Sequence, residues 1–165
     1  MIRIPAFSTV AELLTQLLGR TVVVRKAPSP LLMPAPNVIT AVYTADDGIP
    51  ATACVCELAL AAYAGAALTA IPPAAAKEAL ATKCIEPNLL DNFGEILNIC
   101  SHLFNDISTE HVRLLEVSRG TELGAAVKAS ASKSEFLVEI PGYGGGRMLF
   151  CVLSQQTQAE PMSRV

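Results

Sequence analysis

Residues 58–76, which read LALAAYAGAALTAIPPAAA, carry no charged side chain and come close to the length of a membrane span. Pro72 and Pro73 would end a helix soon after Ile71, which leaves about 14 helical residues, too few to cross a bilayer. Alanine and glycine dominate the segment, where a membrane helix would have bulkier apolar residues. We therefore predict a buried core or interface helix here, and no contact with a membrane.

The size and composition of the chain predict the number of domains and whether the protein self-associates. A chain of 165 residues has the size of one domain with a sizeable core. We predict a single domain over residues 1–154 and a loose polar tail over 155–165. Apolar residues make up 52% of the chain and charged residues only 16%, which leaves apolar surface for self-association, so we expect a homodimer.

The charge pattern argues against nucleic-acid binding. The formal net charge is −3, and the lysines and arginines are scattered without a basic stripe or interleaved aromatic residues. The N-terminus, MIRIPAFSTVAELL, has neither the continuous apolar segment nor the small-residue cleavage site of a signal peptide. We therefore expect a cytoplasmic protein without a nucleic-acid partner.

The cysteines are the first candidates for a metal or redox site. They form an odd set of five without C-x-x-C spacing. Cys54 and Cys56 would share one face of a strand, but a metal there would need two further ligands. Free cysteine is among the most buried residue types. We predict buried, reduced thiols and no metal site.

Signals for strands and helices follow one another in blocks. The segment STVAELLTQLLG begins with a possible capping box between Thr9 and Glu12 and ends on Gly19, which predicts a short amphipathic helix. Strands are predicted at 21–27, 37–44, 51–58, 111–117, 124–132, 135–140 and 147–154, a proline-rich loop at 27–36, and helices at 58–71, 73–84 and from about Asn88 to Ile107. This order predicts an α+β domain with helices packed on one face of a mainly antiparallel sheet.

The predicted helix from Asn88 to Ile107 contains the run LLDNFGEILNIC at 89–100. At about 100° of rotation per residue, its apolar residues form one broad face. A narrow polar stripe lies opposite and consists of Asp91, Glu95, Asn98, His102 and Asn105. Any amphipathic surface helix needs a solvated side, so this pattern alone does not require a function.

Three residues of the stripe nevertheless match a known signature. The spacing Asp91-x3-Glu95-x2-Asn98 resembles that of the CheC/CheX/FliY family of chemotaxis phosphatases, and the chain is most similar to a single-site, CheX-like member. A long amphipathic helix beside an alanine-rich helix and strands, in a chain of single-domain size, is similar to that family as well. The resemblance implies a CheC/CheX-like α+β fold.

The resemblance also implies a function. Members of the family hydrolyse the aspartyl phosphate of a CheY-like response-regulator receiver domain in two-component signalling. By this likeness Asn98 would hold the attacking water in line with phosphorus, and the Glu95 carboxylate would bind a lysine of the receiver. Asp91 and His102 are assigned to receiver binding. The receiver would supply Mg²⁺, so the protein would need no cofactor of its own.

Two positions depart from the family pattern and keep a second interpretation open. Thr121 stands where the pattern has a proline 23 residues after the asparagine, and His102 stands where a small residue is usual. An imidazole one turn beyond Asn98 would crowd the docking surface. The alternative is a non-catalytic, dimeric binding or scaffold domain of the same fold. Glu57, which begins a similar run in the first half, is followed three residues later by Leu60, so a single site is predicted.

The glycine-rich segment GYGGGR at 142–147 is a weaker candidate for a phosphate-binding loop. It lies between two predicted strands and lacks the Lys-Ser/Thr continuation and the following helix of such loops. Because glycine readily serves turns, we predict a hairpin turn.

Overall fold

The computed structural model of the protein describes residues 2–27, 37–108, 110–120, 127, 130 and 132–153. Five helices and six strands lie in these ranges. In chain order they are α1 (Phe7–Leu18), β1 (Val23–Lys26), β2 (Val38–Ala45), β3 (Pro50–Glu57), α2 (Leu58–Leu68), α3 (Pro73–Thr82), α4 (Pro87–Ile99), α5 (Ser101–Asn105), β4 (Val112–Arg119), β5 (Ser132–Ile140) and β6 (Gly144–Val152).

The strands form one sheet in the order β1-β5-β6-β3-β2-β4, and neighbouring strands pair antiparallel. The interior strands are therefore β5, β6, β3 and β2, while β1 and β4 lie at the edges of the sheet. The predicted α+β class with a mainly antiparallel sheet is confirmed. The predicted proline-rich loop, the strand at 124–132 and the tail at 155–165 lie wholly or largely outside the described residues.

The main core lies between the sheet and the helices, and aromatic side chains run through it. The Phe104 ring of α5 lies between Tyr43 and Phe150, with ring centroids 5.5 Å and 5.6 Å away, and Phe136 is 6.0 Å from Phe150. Alternate residues of each strand point to opposite faces of the sheet. Ala53 therefore faces away from this core, and it packs in a second, smaller cluster with Val127.

Glycines allow α2 to approach its neighbours closely. A Cβ added at Gly65 would overlap the carbonyl oxygen of Leu89 in α4. On the sheet side, a Cβ at Gly144 would lie 2.7 Å from the Tyr63 ring, and one at Gly146 would lie 3.0 Å from Leu60. The predicted turn between the last two strands is confirmed at residues 141–143. The glycines that follow it have a further role, because they give α2 room to pack on β6.

The start of α1 differs from the prediction. The helix begins at Phe7, and its N-cap residue Ala6 makes no side-chain capping bond. The amide of Thr9 already bonds to the carbonyl of Ala6, so Thr9 lies inside the helix and the predicted capping box is wrong. The predicted end is confirmed, because Gly19 adopts a left-handed conformation with φ of 67°.

The helix predicted from Asn88 to Ile107 is broken at Cys100 into α4 and α5. The Tyr43 hydroxyl donates a hydrogen bond of 2.6 Å to the Leu97 carbonyl, and the Ser101 hydroxyl donates one of 2.9 Å to the Asn98 carbonyl. In a continuous helix these carbonyls would accept bonds from the amides of residues 101 and 102. Side chains that insert into the backbone ladder in this way interrupt a helix.

Four of the five cysteines are buried, and Cys84 is exposed. The prediction of buried thiols is therefore confirmed for four of them and wrong for Cys84. Burial raises the pKa of Cys54 and of Cys100, and it raises the pKa of Cys151 to about 11. Because the thiolate is the reactive form, these thiols are inert in the folded protein.

Thiol labelling tests this arrangement. In native protein we expect one of the five thiols to react rapidly with a disulfide reagent such as DTNB, and all five to react after unfolding in guanidinium. The Cys84→Ser variant should lose the rapid phase and keep the other four. Two or more rapid thiols in native wild-type protein would contradict the buried positions.

The close approach of α2 and α4 predicts a large effect of one methyl group. We expect Gly65→Ala to lower the free energy of unfolding by about 1–3 kcal/mol, because the added Cβ has no space beside the Leu89 carbonyl. Gly94→Ala is the matched control, since nothing lies within 4 Å of a Cβ there, and it should raise stability by about 0.5–1 kcal/mol. Urea denaturation measures the free energy of unfolding of both variants. Equal effects of the two substitutions would contradict the close contact between Gly65 and Leu89.

Candidate functional site

The candidate site lies on the outer face of α4. Pro87 begins the helix at a position where its missing amide proton is not needed. Phe93, Ile96 and Leu97 are buried toward the core. The opposite side carries Asp91, Glu95 and Asn98, and all three are exposed. Residues three or four apart lie on the same helix face, so these three side chains are displayed together.

Hydrogen bonds hold α4 from two sides. The Asn92 amide donates bonds of 2.9 Å to the Gly65 carbonyl and to the Thr69 hydroxyl, which ties α4 to α2 and the residue that follows it. From the sheet, the buried Tyr43 hydroxyl bonds to the Leu97 carbonyl. Burial, with smaller contributions from nearby cysteine thiols, raises the pKa of Tyr43 and keeps the phenol protonated as a donor. The outer face of α4 is thus presented by a rigid helix.

Sequence reasoning did not identify Asn92 or Tyr43 as residues that position the site. Asn92 lies next to Asp91 in the sequence and carries the same amide group as Asn98. Tyr43 belongs to a strand far from the motif in the chain. Neither residue has a distinctive sequence signal, because each depends on a partner that only the fold brings close.

Asn105 does not belong to the solvated stripe in which the sequence placed it. Its amide donates a bond of 2.9 Å to the carbonyl of Val112 and accepts one of 2.8 Å from the same residue's backbone amide. Both polar backbone groups at the start of the edge strand β4 are satisfied in this way. The role of Asn105 is therefore structural, since it covers part of an exposed sheet edge.

The remaining four polar residues of the stripe have no such internal role. Within the described part of the chain, the side chains of Asp91, Glu95, Asn98 and His102 are exposed and make no hydrogen bond or ion pair. Other polar side chains of α4 and α5 are bonded internally, as Asn92, Ser101 and Asn105 show. A carboxylate and an amide thus face solvent one turn apart, available to an external partner. Their catalytic roles stay predictions.

The position of His102 changes one part of the expected geometry. This residue lies in α5, beyond the break at Cys100, and Asn98 lies in the last turn of α4. Asn98 and His102 therefore do not belong to one continuous helix, so a spacing of four residues does not by itself place their side chains next to each other. His102 is exposed beside the site, and its predicted binding role remains a prediction.

Glu57, the counterpart of Glu95 in the first half of the chain, has a structural role. One oxygen of its carboxylate accepts a bond of 2.6 Å from the backbone amide of Arg147. The residue is half-buried at the start of α2, where it connects β3 and β6. Its carboxylate is therefore not displayed to a partner in the way that Glu95 is.

Metal-binding clusters and membrane-spanning helices are the other kinds of site that the described residues could contain. These residues contain no group of three or more His, Cys, Asp or Glu side chains that could hold a metal ion. The sulfur atoms of Cys54 and Cys56 lie 3.6 Å apart in the core, both fully buried. None of the helices there has both the length and the apolar character that a membrane span requires.

Comparison with known proteins relates the chain to others through its fold. No model of a known protein family matches the sequence, and no curated protein matches it. Among solved structures, the FliM middle domain from Vibrio alginolyticus matches with a TM-score of 0.58 at 14% identity, over 95% of this chain and 92% of that chain. FliM in its complex with SpeE from H. pylori matches with a TM-score of 0.60 at 11% identity, over 94% and 87%.

A further match is CheX in a complex with CheY, BeF3 and Mg²⁺ from Borrelia burgdorferi, with a TM-score of 0.45 at 12% identity, over 90% of this chain and 96% of that chain. The two FliM domains share nearly the whole length of this chain, so the likeness concerns the complete domain. The chain therefore has the fold of the FliM middle domains, and the resemblance predicted from Asp91, Glu95 and Asn98 is confirmed at the level of the fold.

Proposed function

We propose that this protein is a cytoplasmic phosphatase that hydrolyses the aspartyl phosphate of a CheY-like receiver domain through Glu95 and Asn98. The observation that carries the proposal is that both side chains are exposed on α4, one turn apart, and make no bond within the described part of the chain. Polar side chains that stabilise a fold are normally bonded inside it, as Asn92 and Asn105 are here. Glu95 and Asn98 are available for a partner.

The chemistry requires positioning and little else from this chain. The Asn98 amide orients a water molecule in line with phosphorus, the water attacks, and the bond between phosphorus and the receiver's aspartate oxygen breaks to release inorganic phosphate. The receiver carries the aspartyl phosphate and supplies Mg²⁺, so this protein provides neither a nucleophile nor a metal. The Glu95 carboxylate pairs with a lysine of the receiver before the chemical step. Asp91 and His102 contact the receiver on either side of these two residues.

Two alanine variants separate the role of each residue. Asn98→Ala should lower the maximal rate of receiver dephosphorylation by about a hundredfold or more, because the amide acts mainly in the transition state. Glu95→Ala should raise the protein concentration needed for half-maximal rate and change the maximal rate little. Gln16→Ala, an exposed position on α1, is the control for loss of an amide and should match wild type.

Initial rates of phosphate release from a phosphorylated receiver, over a range of protein concentrations, measure both effects. Equal loss of maximal rate in the two variants would contradict the division of roles. A wild-type protein that binds the receiver without hydrolysis would exclude the phosphatase. In that case His102→Gly tests whether the imidazole alone suppresses an intact Glu95 and Asn98 pair, since its removal should then restore activity.

A second candidate function is a non-catalytic domain that binds other proteins. It is favoured by the likeness to FliM middle domains, one of which was determined in a complex with SpeE. The same exposed face of α4 would then bind a receiver, or another partner, without chemistry. Binding of a receiver that leaves its rate of dephosphorylation unchanged is the result that supports this alternative.

The expected homodimer has a candidate surface at the edge strand β4. Two of the large apolar side chains with substantial exposure lie on β4: Leu115 at 52% and Val117 at 39%. An edge strand with such residues offers backbone groups and apolar area to a second copy. We propose that dimerisation, which the composition led us to expect, uses this edge.

A lysine at Leu115 tests the dimer. We expect wild-type protein to have the mass of a dimer by light scattering, and Leu115→Lys to have the mass of a monomer, because edge lysines prevent strand pairing. Phe7→Lys is the matched control, since Phe7 is 54% exposed on α1, and this variant should remain dimeric. Monomeric wild-type protein at high concentration would refute the dimer.

A further inference from the structure

Among the residues that the structure describes, two glycines lie inside helices, and packing explains only one of them. Glycine destabilises a helix interior relative to alanine because it loses more backbone entropy on folding. At Gly65 this cost has a reason, since a side chain would overlap the Leu89 carbonyl. At Gly94, in the middle of α4, an added Cβ would have no atom within 4 Å apart from those of its two chain neighbours and of the nearby helix backbone. Nothing in the described part of the fold requires glycine there.

The position of Gly94 on the helix places it within the candidate site. It lies three residues after Asp91, directly before Glu95 and four residues before Asn98. Side chains in a helix lean toward its N-terminus, so a residue at i+4 lies over the residue at i. The surface beneath Asn98 is therefore bare backbone, bordered by Glu95 and Asp91.

The short reach of the Asn98 side chain makes this bare surface important. An asparagine amide stands only two carbon atoms away from the main chain, so it can hold a water against phosphorus only if the partner's backbone comes close to α4. A side chain at position 94 would occupy the space next to the amide and hold the partner away. Glycine is the one residue that leaves the space open.

We propose that Gly94 is a specificity-determining residue, which keeps a recess beside Asn98 and Glu95 for the backbone of the receiver next to its phosphorylated aspartate. The inference rests on the proposed function, since it takes the receiver as the occupant of the recess. Gly94 itself contacts no reacting atom. It acts by excluding a side chain from the surface where the two proteins meet.

The test measures how the size of the side chain at position 94 affects receiver binding and the stability of the protein. The variants are Gly94→Ala and Gly94→Leu, with Gln16→Leu on α1 as the control for a new exposed leucine. The probes are the CheY-like receivers encoded in the same genome, each loaded with beryllofluoride and Mg²⁺ to imitate the phosphorylated state. Titration calorimetry measures binding, and urea denaturation measures stability.

We expect Gly94→Leu to weaken receiver binding at least tenfold, with an unfolding midpoint equal to or above that of wild type. The affinity of Gly94→Ala for the receiver should lie between that of wild type and that of Gly94→Leu. Gln16→Leu should bind like wild type. These results together would exclude a folding defect as the cause of the weaker binding, because Gly94→Leu would bind worst and yet be no less stable than wild type. Leucine is a good helix former, so stability is expected to hold.

Each other outcome has a definite meaning. Unchanged binding by Gly94→Leu to a receiver that wild type binds would overturn the role of Gly94 and leave the proposed phosphatase intact. If wild type binds the beryllofluoride-loaded receiver but releases no phosphate from the phosphorylated receiver in the separate rate assay, the phosphatase alone is overturned, because the role of Gly94 is judged on binding. Failure of wild type to bind any of the receivers would overturn both.

Discussion

The close contact between α2 and α4 at Gly65 is the constraint on which the rest of the structure depends. Because a side chain there would overlap the Leu89 carbonyl, the two helix backbones can approach only with glycine at this position. Asn92 reinforces the contact by its bond to the Gly65 carbonyl. On its other side α2 packs on the glycines at the start of β6. The sheet, α2 and α4 are thus stacked through glycine contacts at both interfaces of α2, and this stacking sets the position of the outer face of α4.

A buried hydroxyl bonds to the backbone where α4 ends. Tyr43 is fully buried, and a buried phenol requires a hydrogen-bond partner. It finds one in the Leu97 carbonyl in the last turn of α4, and together with the bond from the Ser101 hydroxyl to the Asn98 carbonyl it accompanies the separation of α4 from α5. Asn98 follows Leu97 directly, so the residue to which we assign the positioning of water lies next to a backbone group held by the sheet. A fixed backbone at this point suits a residue whose function depends on geometry.

The polar residues of α4 and α5 divide into those that serve the fold and those that face outward. Asn92, Ser101 and Asn105 satisfy backbone or side-chain groups of the protein. Glu95 and Asn98 face solvent without internal partners in the described ranges, in a domain that has the fold of the FliM middle domains. A fold of this kind does not by itself specify an activity. The proposed receiver chemistry therefore depends on the two side chains that the fold leaves exposed on α4, Glu95 and Asn98.

The sequence by itself determined the elements whose signals are local. Hydrophobic periodicity and the positions of proline and glycine located α2, α3 and most strands, and the spacing of Asp91, Glu95 and Asn98 indicated the fold type and the exposed face. The tertiary structure alone decided the strand order, because sheet pairing joins segments distant in the chain. It also decided the break at Cys100, where the Leu97 carbonyl accepts a hydrogen bond from a tyrosine 54 residues earlier in the chain. Asn98 and Asn105 show the difference most clearly. They are the same residue type in one predicted stripe, yet only the fold brings Val112 to Asn105 and leaves Asn98 facing solvent.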